Sequence, residues 1–108
     1  MSVIEVNDVT FQSEIQKKEL TLVEFGAVWC PPCKALLPIL GELSEKYGEQ
    51  VSILKLDCDE SPITPGSFGI MSMPTVIVFH NGEPVEKLVG LRPMSVYENV
   101  LSKYMATV

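Results

Sequence analysis

Cys30 and Cys33 stand three positions apart in Trp29-Cys30-Pro31-Pro32-Cys33. Two thiols at this spacing can close a small disulfide ring and reopen it by exchange, in which a thiolate attacks a disulfide sulfur. A C-x-x-C beside a β-α-β pattern, in a chain without a secretion signal, reads as a redox dithiol. A structural disulfide and half of a zinc site are competing uses of the same pair. Zinc takes about four ligands, and only Cys58 and His80 remain elsewhere as candidates. Pro31 and Pro32 also stiffen the loop away from a zinc-knuckle geometry. Cys30 is expected to be the nucleophile, because unpaired N–H groups and the positive dipole end at a helix start stabilise a thiolate. Cys33, within the first helical turn, is expected to be more buried, protonated and slower, and to resolve the mixed disulfide.

Glu24 is the second chemical signal. A carboxylate inside Leu22-Val23-Glu24-Phe25 is costly unless it is protonated, hydrated or paired. It can accept the proton of Cys33, directly or through a water, with a pKa raised by burial. Lys55, alternating with Ile53 and Asp57 on a neighbouring strand, can moderate that shift. A solvent-facing strand residue is the plainer alternative. Trp29 either caps the dithiol and offers an apolar contact surface or is an ordinary core Trp. Cys58, at the end of an apolar strand, is most simply a small buried hydrophobe, with a regulatory thiol as the other reading. His80 adjoins a turn and is expected to be exposed and idle.

The elements around these residues follow from pattern. Val3 to Val6 suits a short strand, and Asn7 and Asp8 are N-cap types before a helix from Phe11 to about Lys18. Thr21 to Val28 reads as a strand buried on both faces. Lys34 to Tyr47 has helical apolar spacing, with a kinking Pro38 inside and Gly48 as the C′ residue. Val51 to Asp57 is a third strand, and residues 59–70, with two prolines and two glycines, suit a short or irregular helix. Thr75 to His80, Asn81-Gly82, then Pro84 to Val89 is a hairpin with a type I′ turn. Pro93 to Tyr104 closes the chain as a helix. A parallel start, a terminal hairpin and helices for both faces imply an α/β sandwich around a mixed sheet.

Length and composition set the limits. One domain over residues 1–108 is expected, and 46% hydrophobic with 20% charged residues is ordinary for a folded chain. Such a core needs no disulfide staples, and three cysteines fit poorly with a secreted disulfide framework. A formal charge of −6 should repel nucleic acid and anionic membranes. The basic doublet Lys17-Lys18 reads as a solvated last helical turn. The first residues, Met1 to Asp8, carry neither a basic nor a long apolar region, so no signal peptide is expected. No apolar stretch approaches the ~20 residues that span a bilayer. A cytoplasmic protein with reduced thiols is the expectation.

With the elements placed, the chain resembles the thioredoxin family over nearly all its length. The resemblance rests on four separated signatures in order: Trp29-Cys30-Pro31-Pro32-Cys33-Lys34, Pro38 in the following helix, Met73-Pro74-Thr75 before the hairpin, and Gly90 after its second strand. It implies a thioredoxin fold, a central mixed five-stranded sheet flanked by four helices, with the dithiol at the start of the second helix. It implies a cis bond before Pro74, facing the disulfide. It also implies a substrate groove formed by Trp29, Pro32, Met71, Ser72, Met73, Pro74 and the Val89-Gly90-Leu91 segment. Extended substrate backbone would pair at Met73; the methionines as core filler are the alternative. Two departures stand out. Pro31-Pro32 replaces the family's usual Gly-Pro, and the buried acid is Glu24 where Asp is usual, with Gly26 in place of a bulkier residue.

The expected function is reduction of protein disulfides by Cys30 and Cys33, with Glu24 and Lys55 handling protons. The resemblance implies re-reduction by a thioredoxin reductase drawing on NADPH. No cofactor-binding motif occurs in the chain, and a monomer acting on disulfide-containing proteins is expected. A thiol oxidase or isomerase of the same fold, or a binding module using it as a scaffold, are the rivals. Two prolines between the cysteines, rather than a polar residue such as His, argue for a reductant.

Overall fold

The computed structural model describes residues 2–105; the ends of the expected 1–108 domain, residues 1 and 106–108, lie outside the described residues. Its elements run β1 (Ile4–Val6), α1 (Phe11–Glu14), β2 (Leu20–Gly26), α2 (Pro31–Tyr47), β3 (Val51–Asp57), α3 (Ile63–Ser67), β4 (Thr75–His80), β5 (Glu83–Val89) and α4 (Met94–Met105). The strands form one mixed sheet in the order β1-β3-β2-β4-β5. β2 pairs parallel with β3 and antiparallel with β4. It is buried at all seven positions, which is why its sequence shows an apolar run rather than alternation.

Side chains of a strand alternate between faces, and the two cores follow that alternation. Leu20 and Leu22 of β2 join Ile53, Val76 and Val78 under Leu36, Leu40 and Leu43 of α2 and Tyr97, Val100 and Leu101 of α4. Val23 and Phe25 join Leu54, Leu56, Ile77 and Phe79 on the other face, under Phe11 and Ile15. Phe68 lies edge-on to Phe11 and Phe79 in that second core, with centroids 5.7 and 5.4 Å away. Glu24 and Gly26 share the parity of Leu20 and Leu22, so the acid lies on the face covered by α2.

Several elements differ from expectation at their ends. α1 holds one turn, ending at Glu14 rather than near Lys18, because Phe11 and Ile15 are the only buried residues that need it. Lys17 instead pairs with Glu14 at 2.6 Å, and Lys18 donates to the Gly48 carbonyl. Asn7 accepts from the amides of Val9 and Thr10, both at 2.9 Å, and so orders the turn that leads into α1, whose N-cap position is Thr10 rather than Asn7. Asp8 does not serve α1. Its carboxylate accepts from the amides of Ile63 and Thr64, at 3.1 and 2.8 Å, and so caps α3. β2 stops at Gly26, leaving Val28 exposed. Gly48 ends α2 with φ −60°, right-handed rather than the left-handed conformation expected, its N–H donating to Ser44 at 2.9 Å. The hairpin turn has φ 54° at Asn81 and 81° at Gly82, as a type I′ turn requires.

Candidate active site

The dithiol sits where β2 hands over to α2. Cys30 is the N-cap of α2 in extended conformation (φ −93°, ψ 110°). Pro31 takes the first helical position, where its fixed φ suits the helix and its missing N–H costs nothing. Cys30 and Cys33 form a disulfide with Cα atoms 5.3 Å apart. The Cys30 sulfur accepts from the Cys33 backbone N–H at 3.3 Å. Neither proline can offer such a donor.

The two cysteines are equally hidden, at 3% and 4% exposure. That corrects the expectation that Cys33 is the more buried: as N-cap and third helical residue they lie under the same cover of Ala27 and Met73. Their surroundings separate them instead. Cys30 has the helix donor and the Met73 carbonyl oxygen, 3.8 Å from its sulfur. Cys33 lies on the side of Gly26 and Glu24: a Cβ placed on Gly26 would stand 3.1 Å from its sulfur and overlap Oε2 of Glu24.

Glu24 is 4% exposed, and burial pushes its carboxyl up to about 7. Lys55 pulls the value down and Asp57 pushes it up, each less than burial does. Lys55 is its direct partner across the β2–β3 pairing and faces Glu5 across β1–β3. One rung of the sheet therefore reads Glu5, Lys55, Glu24. A cleft of roughly 180 Å³ opens onto this rung, with Gly26, Cys33, Lys34 and Leu37 on its walls. Glu24 is thus a buried acid beside a lysine, not a solvent-facing strand residue.

On the other side, the Met73–Pro74 bond is cis. The Gly90 N–H donates to the Pro74 carbonyl at 2.8 Å, which joins the Val89–Leu91 segment to that loop, with Gly90 at φ 87°. Met71 and Ser72 are exposed, Met73 half-buried and Pro74 buried, so Met71 is no core filler. Pro32 is exposed on the helix start. Trp29 is also exposed, and its indole N–H donates to Asp59 at 2.6 Å. A core Trp is excluded. Asp59 and the exposed Val28 are additions that the sequence reading missed. Asp59 carries no local signal, whereas an apolar residue just past a strand end was a legible hint at 28.

Cys58 is half-buried and packs against the phenylalanine core, with its thiol pushed up to about 11 by burial and then by Glu24, Asp57 and Asp59. His80 is not idle. It is half-buried, lies 3.1 Å from Glu19 and packs against the Tyr104 ring. Among the described residues no three His, Cys, Asp or Glu side chains are grouped to hold a metal ion, and no helix is long and apolar enough to cross a membrane.

This arrangement of sheet, helix-capping dithiol and cis-proline loop agrees with a family model described as Thioredoxin, which matches residues 2–103. The chain belongs to the thioredoxin family. It is 45% identical to a thioredoxin of Listeria monocytogenes over 101 residues, 94% of this chain and 97% of the relative. It is 46% identical to a thioredoxin of Staphylococcus haemolyticus over 105 residues, 97% of this chain and all of the relative. A solved mutant thioredoxin from Halobacterium salinarum NRC-1 superposes with a TM-score of 0.92 at 27% identity, covering 99% of this chain and 94% of that one. The thioredoxin fold is therefore shown as well as expected, and the chain is a thiol–disulfide oxidoreductase.

Proposed function

We propose that this thioredoxin works as a reductant of protein disulfides, with Trp29-Cys30-Pro31-Pro32-Cys33 as its active site. The Cys30 thiolate attacks one sulfur of the substrate disulfide, and the other substrate sulfur leaves and takes up a proton. Cys33 then gives its proton to Glu24 and attacks Cys30. The Cys30–Cys33 bond forms as the bond from Cys30 to the substrate breaks, and the second substrate sulfur leaves and is protonated. Two electrons pass from dithiol to substrate.

The observation that carries the assignment is the N-cap position of Cys30, whose sulfur takes the Cys33 N–H at 3.3 Å. A helix start lowers the free energy of a thiolate there, whereas Cys33, three residues on, lies inside the first turn of α2 rather than at its cap. Lys55, as cross-strand partner of Glu24, keeps the acid able to ionise near neutrality. Trp29, Pro32, Met71, Ser72, Met73, Pro74 and Gly90 present the substrate, with extended substrate backbone laid along Met73. The chain holds no cofactor of its own; a thioredoxin reductase drawing on NADPH returns the electrons. It acts in the cytoplasm, as a monomer, without nucleic acid or membrane partners.

A redox titration against glutathione tests this. A reductant falls near the roughly −270 mV typical of thioredoxins as a family, and an oxidant near about −120 mV. A midpoint at the oxidising end would replace the reductase reading by the oxidase one.

A further inference from the structure

We propose that Gly26 is a positioning residue for the resolving step: its missing Cβ is the space through which the Glu24 carboxylate reaches the Cys33 sulfur. Glycine in a strand interior weakens the strand and packs nothing, yet Gly26 closes the most buried strand of the sheet. Its backbone gives no reason for glycine, since the positive-φ glycines are Gly69, Gly82 and Gly90. Its surroundings do. The three atoms nearest to a Cβ at this position are Oε2 and Cδ of Glu24 and Sγ of Cys33. The Cδ would lie at 3.0 Å and the sulfur at 3.1 Å, while the oxygen would be overlapped outright.

Residues two apart on a strand share a face, so the acid at 24 passes over the backbone of residue 26 to reach the helix start. Glutamate is one methylene longer than aspartate, and that extra length is what a side chain at 26 would obstruct. The long acid and the absent side chain are therefore one unit. Gly26 also lines the cleft beside the rung of Glu5, Lys55 and Glu24. The inference rests on the reading of Glu24 as the proton acceptor of Cys33. In that step the Cys33 proton passes to the Glu24 carboxylate and the thiolate attacks Cys30. The Cys30–Cys33 bond forms, and the electron pair of the broken mixed disulfide leaves on the departing sulfur. Lys55 and Asp57 of β3 act on the Glu24 carboxyl. Its charge in turn acts on Cys58 just beyond β3 and on Tyr97 of α4. Cys33 of α2 lies across Gly26 from the carboxyl, and Glu5 and Lys34 share its cleft. Of these, only the Cys33 sulfur would be met by a Cβ at 26.

The test mixes the reduced protein with a chromophoric aryl disulfide. One aryl thiolate is released when Cys30 attacks and a second when Cys33 resolves, so the slower phase reports the step in question. Wild type, Gly26→Ala, Glu24→Asp and the double variant Glu24→Asp with Gly26→Ala are compared across pH, with Glu24→Gln as reference. A positioned general base is worth about 100-fold or more. Gly26→Ala should therefore slow the second phase at least about tenfold and remove the Glu24 inflection from its pH profile. With aspartate at 24, the same alanine should change the phase by less than about twofold, because the shorter acid does not meet the new methyl. The contact with the Cys33 sulfur is common to both backgrounds and cancels in the cycle. If Gly26→Ala fails to fold while the double variant folds, the collision with Glu24 is demonstrated directly, and the proposal stands. An alanine effect of equal size in both backgrounds, no effect in either, or two alanine variants that both fail to fold would overturn it. Glu24→Gln separates the two layers. An unchanged second phase in that variant removes the proton-acceptor reading and this inference together, whereas a slowed one with an additive cycle removes the inference alone.

Discussion

Glu24→Gln should stabilise the oxidised protein at neutral and alkaline pH while slowing its chemistry. Burial raises the Glu24 carboxyl from the ordinary 4.5 to about 7, so the folded state holds a proton that the unfolded state releases earlier. Below the unfolded value both states are protonated, and Glu24 costs the fold nothing. Between the two values only the unfolded state ionises, and stability falls by about 1.4 kcal/mol for each pH unit. Above the folded value the loss is complete, at about 3 kcal/mol. Glu24 is almost wholly covered, so solvent screening takes little from that figure. Glutamine has nearly the shape of the protonated acid and cannot ionise. The stability difference between variant and wild type should then be near zero at about pH 4, grow through the window, and level off near 3 kcal/mol by about pH 8. Urea unfolding of both oxidised proteins over that range measures it. A difference that does not vary with pH, or that stays under about 1 kcal/mol at pH 8, would mean that Lys55 offsets the burial of the charge, and the argument from desolvation would fail.

Alkylation of the reduced protein at neutral pH should modify Cys30 first and leave Cys58, held near 11 by burial, unmodified until the fold opens, as peptide mapping would show. Cys33→Ser should accumulate mixed disulfides through Cys30, and Cys30→Ser very few; the opposite pattern on non-reducing gels would reverse the assigned roles. Pro31→Gly should raise the reduction potential by roughly 10–20 mV. Proline narrows the open dithiol's conformations by about 0.4–1 kcal/mol, about 30 mV is 1.4 kcal/mol for this couple, and glycine restores an N–H near the Cys30 thiolate; a fall of that size in a glutathione titration would refute this. Trp29→Ala should raise KM for a protein disulfide severalfold and leave a small aryl disulfide nearly unaffected, because the exposed indole fixed by Asp59 offers contact area rather than chemistry.

The parts of this molecule that were legible in its sequence are those where one local rule acts alone. Asn81-Gly82 can hardly be anything but a I′ turn, and Pro31 after Cys30 marks a helix start whatever the rest of the chain does. The buried run of β2 declared a central strand, and its acid stood out for the same reason. What was not legible depends on distances through space. Asp8 looks like a cap for the helix that follows it, and only the folded chain carries it to the amides of Ile63 and Thr64. The equal burial of Cys30 and Cys33 follows from the cover of Ala27 and Met73, which no spacing announces. His80 beside a turn reads as exposed until Glu19 and Tyr104 close on it. Gly26 was visible as a departure from the family, but its meaning required knowing which atoms stand above it.

The two outer strands of the sheet have a consequence for how the protein can be handled at high concentration. β1 has three residues, too few to template another strand. β5 carries Glu83, Pro84, Glu86 and Lys87, and its register slips by one residue where Phe79 meets Pro84. Proline, charge and a bulge are the devices that stop edge-to-edge association. If substrates pair along the Met73 backbone as proposed, that offer needs to be the only one the sheet makes. Removing the guard, for example by Pro84→Val with Lys87→Val, should leave disulfide reduction intact and make the protein self-associate as its concentration is raised, with light scattering as the readout.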